Sequence, residues 1–140
     1  MGIKSTNSKI SIGLKMAIGL TLFMIYRVSA GLYLPKVGES IPEFWGIAYR
    51  GDIVIGVTAP IIAYLLWKHR SLSTWTLAIV WQWIGLKDFI GGLEFHLIEP
   101  FDPAMGDLPI AIFIIGPLIH IYTTYLLVRN RNDFFELANN

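Results

Sequence analysis

The chain contains no cysteine. Disulfides, thiolate metal sites, iron–sulfur clusters and cysteine nucleophiles are therefore excluded at the outset. It is also short of charge. Charged residues make up 15% of its 140 positions, where a soluble domain carries about 25%. The formal net charge is +1 and there is no basic stripe, so the charge pattern gives no footing for nucleic acid. The sequence has no Walker loop, dinucleotide fingerprint, nucleophile elbow or HExxH pair. It also lacks internal repeats and low-complexity segments.

What is present is apolar. Hydrophobic residues make up 54% of the chain, and the mean hydropathy is +0.57. Four stretches approach the roughly 20 apolar residues that a membrane-crossing helix needs. They run over about residues 12–34, 44–67, 72–93 and 108–128. The links between them are short: Pro35–Glu43, Lys68–Ser71 and the longer Glu94–Asp107. Short links join antiparallel neighbours, so the expectation is an all-α, four-transmembrane-helix, up-down bundle in one integral membrane domain. Pro109 suits a helix start, where a missing N–H is not needed.

The flanking charges orient the bundle. Lys4, Lys9, Lys15, Lys68, Arg70, Arg129 and Arg131 fall on one side. The opposite side holds Glu39, Glu43, Glu94, Glu99, Asp102 and Asp107, with Lys36 as its only base. The positive-inside rule then places both termini in the cytoplasm. Two N-terminal motifs compete with this reading. "MGIKST" fits a myristoylation pattern, and "VSA-G" resembles a signal-peptide cleavage site after Ala30. Arg27 interrupts the apolar run before that site and the run continues to Leu34, which favours an uncleaved first span.

The charges inside the spans call for an explanation, because an isolated charge in hydrocarbon costs a few kcal/mol. The stretch "IAYRGDIVIG" holds Arg50 and Asp52. Its flanks are too apolar for an exposed adhesion turn. At 1.5 Å per residue, Asp52 lies roughly 24 Å above Lys68, and Lys87 roughly 25 Å above Arg70. Arg50 and Asp88 fall one residue or two beyond, so the four share a level near the outer edge of the core. Arg27 lies deeper, roughly 18 Å from Lys15. Glu94, two turns above Lys87, can supply a further acid.

Helical spacing says which charges face inward. Trp45, Tyr49, Asp52, Gly56, Ala59 and Ala63 form one stripe, and Trp81, Gly85, Asp88, Gly92 and Phe95 another. Small residues let membrane helices approach closely, so Asp52 and Asp88 are expected at a helix seam. Arg27 is expected to pair with Asp52 or Asp88, and Arg50 with Asp88 or Glu94. Lys87 either snorkels outward or stacks on Trp83. Such a layer serves equally as a structural clamp or as an ion, proton or ligand site.

A second candidate site lies in the inner half. His120 follows Pro117 by three residues, with Thr123 and Thr124 on its side of the helix. Pro60 and Pro117 are expected to kink their helices. The expected partner for His120 is a carbonyl freed by Pro117. His96 and His120 lie at different depths, so they cannot clamp one haem, and His69 is in a link. The acids and His96 of the outer loop are potential ligands, but their spacing matches no metal motif. No cofactor or metal is therefore expected.

Two segments carry a resemblance. "FWGIAYRGDIVIGVTAPIIAYLLW" followed by "TLAIVWQWIGLKDFIGG" is similar to a widespread class of small uncharacterised bacterial membrane proteins. The shared positions are Gly51, Asp52, Pro60, Trp81, Gly85 and Asp88, and "LPIAIFIIGPLIHIY" adds a mid-span proline and a following histidine. The resemblance covers about two thirds of the chain. It implies a four-helix fold, suggests that Asp52, Asp88 and His120 belong to one shared design, and supplies no activity; the expected location is the bacterial inner membrane.

Three function classes stay open. The first is a non-catalytic accessory or scaffold subunit of a membrane assembly, with a second copy or another subunit as partner. The second is a transporter or channel-like protein using Asp52, Asp88 and Arg50. The third is a membrane enzyme or lipid- or quinone-binding protein using His120 and the charged layer.

Overall fold

The computed structural model describes residues 10–33, 45–98 and 108–135, and all regular structure among them is helical. The helices are α1 (Ile12–Phe23), α2 (Tyr26–Tyr33), α3 (Trp45–Lys68), α4 (Leu72–Ile98), α5 (Leu108–Arg129) and the short α6 (Asn132–Phe135). Lys4 and Lys9, the Pro35–Glu43 link, and the loop acids Glu99, Asp102 and Asp107 lie outside the described residues.

Three segments are long and apolar enough to cross a membrane: Ile12–Leu32, Gly46–Lys68 and Ala111–Arg129. The chain is thus a helical protein with three candidate membrane-spanning helices among the described residues. The expected third span, 72–93, falls on α4. At 27 residues this helix is roughly 40 Å long at the standard rise, so length is no obstacle. Its composition is what sets it apart, because Gln82, Lys87, Asp88, Glu94 and His96 dilute its apolar character.

The first span differs from the expected continuous helix. It breaks between α1 and α2 at Met24 and Ile25, where the backbone tightens. Met24 donates to Thr21, Ile25 to Leu22, Arg27 to Met24 and Val28 to Ile25, all in the three-residue pattern of a 3₁₀ turn. Neither proline nor glycine marks this break. A 3₁₀ turn rises about 2.0 Å per residue against about 1.5 Å in an α-helix. The tightening therefore carries Arg27 farther along the span than an α-helix would. By contrast, α3 runs unbroken through Pro60 and α5 through Pro117.

The helices pack as antiparallel neighbours. The end of α2 meets the start of α3, where a side chain at Gly31 would strike the Tyr49 carbonyl. The start of α4 meets the end of α5, where the Trp75 indole donates to the Leu127 carbonyl at 3.0 Å. The start of α1 also meets the end of α5, at Gly13 and Asn130. α3 touches α1, α2 and α4, which closes the set. Lipid is as apolar as leucine, so close packing rather than water exclusion holds such helices together. The shared core is built accordingly, from Leu14, Ala17, Ile55, Ala59, Leu66, Ala78, Trp81 and Leu127.

The chain ends reinforce one end of the molecule. Ser11 caps α1 by accepting from the Leu14 N–H at 3.1 Å. Its hydroxyl donates to the Asp133 carboxylate at 2.6 Å. That tie draws α6 across the end of the helices, where Phe134 is buried in the core.

Candidate functional site

The buried charge of the molecule converges on Arg27. Its side chain is 2% exposed. Its Nε donates to Asp52 Oδ1 at 2.6 Å, and its Nη2 donates to Asp88 Oδ2. One guanidinium from α2 therefore ties α3 and α4. The sequence offered Asp52 or Asp88 as its partner, and the structure gives it both. Its third nitrogen, Nη1, is buried and has no hydrogen-bond partner.

The seam stripes explain how the three groups meet. Tyr49, Gly56, Ala59 and Ala63 are buried along α3, and Trp81, Gly85 and Gly92 along α4. A side chain at Gly51 would collide with the Asp88 carboxylate. The bare backbone of Gly51 is what lets that carboxylate lie against α3. At Gly56 an added Cβ would come within 2.6 Å of the Val28 backbone nitrogen, so this glycine sets the approach of α2. Asp52 and Asp88 are 21% and 22% exposed. They sit at the margin of the interior while the arginine lies within it.

The other expected members of the layer are elsewhere. Arg50 pairs with neither Asp88 nor Glu94 and is exposed. The reason is angular: two residues along a helix turn about 200°, which directs Arg50 away from the seam that Asp52 occupies. Lys87 and Glu94 are also exposed, on the outward face of α4.

The inner candidate, His120, is 1% exposed. Its expected carbonyl partner is replaced by a side chain: Nδ1 lies 2.6 Å from Gln82 Oε1. Gln82 Nε2 donates to Thr21 Oγ1 at 3.2 Å, and Thr21 donates to the Ala17 carbonyl at 2.8 Å. Thr123 and Thr124 do not join this chain. Their hydroxyls donate to the Ile119 and His120 carbonyls of their own helix. The imidazole packs on Phe89 and Trp81, with ring centroids 5.7 and 5.9 Å away. Its Nε2 is buried and has no partner.

The inner and outer candidates are one neighbourhood. Phe89 touches both, since Arg27 Cζ stands 4.1 Å from the centroid of the same ring. Sequence reading missed Gln82, Phe89 and Thr21 as members. Gln82 had a usable signal, as the chain's single glutamine, set between Trp81 and Trp83. Phe89 and Thr21 had none that set them apart from ordinary packing residues. Among the described residues, no three His, Asp or Glu side chains gather in a way that could hold a metal ion.

Compared with protein families, curated proteins and solved structures, the chain finds no significant match.

Proposed function

We propose that this protein is a four-helix integral membrane protein of the bacterial inner membrane, with both termini cytoplasmic, and that it serves as a non-catalytic accessory or scaffold subunit of a membrane assembly. The observation that carries this reading is the outward face of α4. Val80, Trp83, Lys87, Ile90, Glu94 and Leu97 are all exposed. They recur at alternating steps of three and four, the spacing of a seam that packs on another helix. Lys87 and Glu94 occupy equivalent positions in that repeat, one of each sign. Ionisable residues in a membrane helix ordinarily face protein or water. A partner helix laid along this seam would cover them and explain why α4 is less apolar than its neighbours.

The latch of Arg27 with Asp52 and Asp88 fits the same role. It fixes α2, α3 and α4 at one level by direct pairing, as a clamp does. The test is purification of the tagged full chain in a mild detergent, followed by cross-linking from single cysteines placed at Trp83 and Ile90. Stoichiometric cross-links to another membrane subunit, or to a second copy, support the reading. A monomer that cross-links to nothing in native membranes overturns it.

A second reading, transport of a proton, ion or small solute, is favoured by one observation: the two partly exposed carboxylates lie beside a buried guanidinium nitrogen without a partner. It predicts flux in proteoliposomes that Asp52→Asn or Asp88→Asn abolishes while the protein stays folded.

A further inference from the structure

We infer that His120 is a proton-binding station inside the protein, held in a single tautomer by a three-residue relay so that its Nε2 lone pair is the receiving atom. The argument starts from the far end of the relay. The Ala17 carbonyl can only accept, so Thr21 spends its one hydroxyl proton there, at 2.8 Å. Thr21 Oγ1 can then only accept from Gln82, which must present its amide nitrogen, at 3.2 Å. The opposite atom of that amide, Oε1, faces the imidazole at 2.6 Å. An amide oxygen only accepts, so His120 Nδ1 carries the proton. In the neutral ring Nε2 is then an unprotonated acceptor, and it is this atom that lies buried without a partner.

The surroundings suit a proton rather than a larger ligand. The ring edge with Cε1 and Nε2 lies against Gly85, where an added Cβ would come within 2.6 Å of Nε2. The rings of Phe89 and Trp81 lie tilted against the imidazole, with centroids 5.7 and 5.9 Å away. Charge balance points the same way. The charged group that shares the Phe89 ring with His120 is Arg27 from α2; its guanidinium is held in turn by Asp52 from α3 and Asp88 from α4, with the phenols of Tyr26 and Tyr49 near Asp52. With both carboxylates ionised, one positive charge stands against two negative. A proton taken up at Nε2 brings this set, with its two partly exposed carboxylates, to zero formal charge. Binding forms the Nε2–H bond and breaks none of the relay's hydrogen bonds, because Nδ1–H still donates to Gln82.

Nitrogen-15 NMR of histidine-labelled protein in lipid nanodiscs tests this, with the His120 signals assigned by their loss in His120→Gln. Near neutral pH, the expected ring has a protonated Nδ1 and a bare Nε2. On acidification Nε2 takes up one proton reversibly. A native ring protonated at Nε2 and bare at Nδ1 overturns the assignment. A ring that stays neutral until the protein unfolds overturns the station. Thr21→Val extends the test along the relay. It frees Gln82 to flip, and the Nε2–H form is expected to become at least as populated as Nδ1–H. Thr21→Ser restores the native tautomer. If Thr21→Val stays folded and leaves the tautomer unmoved, the relay is wrong. The measurement on the native protein decides the assignment even where the variant fails to fold. None of these readouts depends on whether a partner covers α4.

Discussion

Arg27 stands over the ring of Phe89, its guanidinium carbon 4.1 Å from the ring centroid. The contact solves a problem the two carboxylates leave open. Asp52 and Asp88 satisfy two edges of the guanidinium, and its face would otherwise meet bare hydrocarbon. The ring's negative face meets that cation in a water-poor setting, where such contacts are worth about 2 kcal/mol. Phe89→Leu keeps the apolar volume and removes the ring. It should lower stability by about 2 kcal/mol, read as the shift in reversible unfolding in mild detergent. A loss under 0.5 kcal/mol would show that Phe89 only fills space.

Charge count orders the variants of the latch. Arg27→Met leaves two partly buried carboxylates facing each other with no cation; removing one partner of a fully buried pair costs about 3–5 kcal/mol, which is the upper bound here. Asp52→Asn or Asp88→Asn leaves one cation with one anion, so each should cost less than Arg27→Met. Restoring balance with Arg27→Met, Asp52→Asn and Asp88→Asn together should recover most of the loss. Arg50→Ala and Lys87→Ala, on exposed positions, should stay within about 0.5 kcal/mol of the parent in the isolated protein. Parallel unfolding curves for the set provide the check. Equal losses for all three latch singles would mean that charge balance is not what the latch supplies.

The legible part of this site was the part written in single residues. A charge in an apolar run must be paired, and small residues four apart mark a seam. Arg27, Asp52 and Asp88 followed from those two rules. The pairing of Arg50 did not follow, because its angle, about 200° from Asp52, turns it off the seam that Asp88 meets. The break at Met24 and Ile25 is a contest between α and 3₁₀ hydrogen bonds with no proline or glycine to announce it. The link from His120 to Gln82 depends on the azimuths of α4 and α5 about each other, which the sequence of neither helix states.

The glycines give predictions of opposite sign. An added Cβ at Gly56 would press on the Val28 backbone nitrogen and the Arg27 carbonyl carbon. Backbone atoms cannot step aside cheaply, so Gly56→Ala should force α2 off α3 and cost roughly 1–3 kcal/mol. At Gly19 and Gly91 nothing lies within 4 Å of the added atom. There alanine should add up to about 1 kcal/mol through helix propensity. Thermal unfolding of the three alanine variants separates the cases, and a stabilising Gly56→Ala would contradict the close approach of α2 to α3.

The last prediction concerns the end of the molecule where the chain closes on itself. Phe134 is 1% exposed and belongs to the shared core although it sits on a four-residue helix. So short a helix has almost no stability of its own. It must be held by Phe134, by the edge contact of Phe135 with Trp75 at 5.8 Å and by the tie from Ser11 to Asp133. Phe134→Ala should therefore cost about 3–5 kcal/mol, the usual loss for a buried phenylalanine. Ser11→Ala loses a helix cap worth about 1 kcal/mol and releases Asp133 as well. If both ties hold the same element, the double variant should cost less than the two single losses combined, since contacts to one element couple. Strict additivity in that double-mutant cycle would show that α6 is held by Phe134 alone.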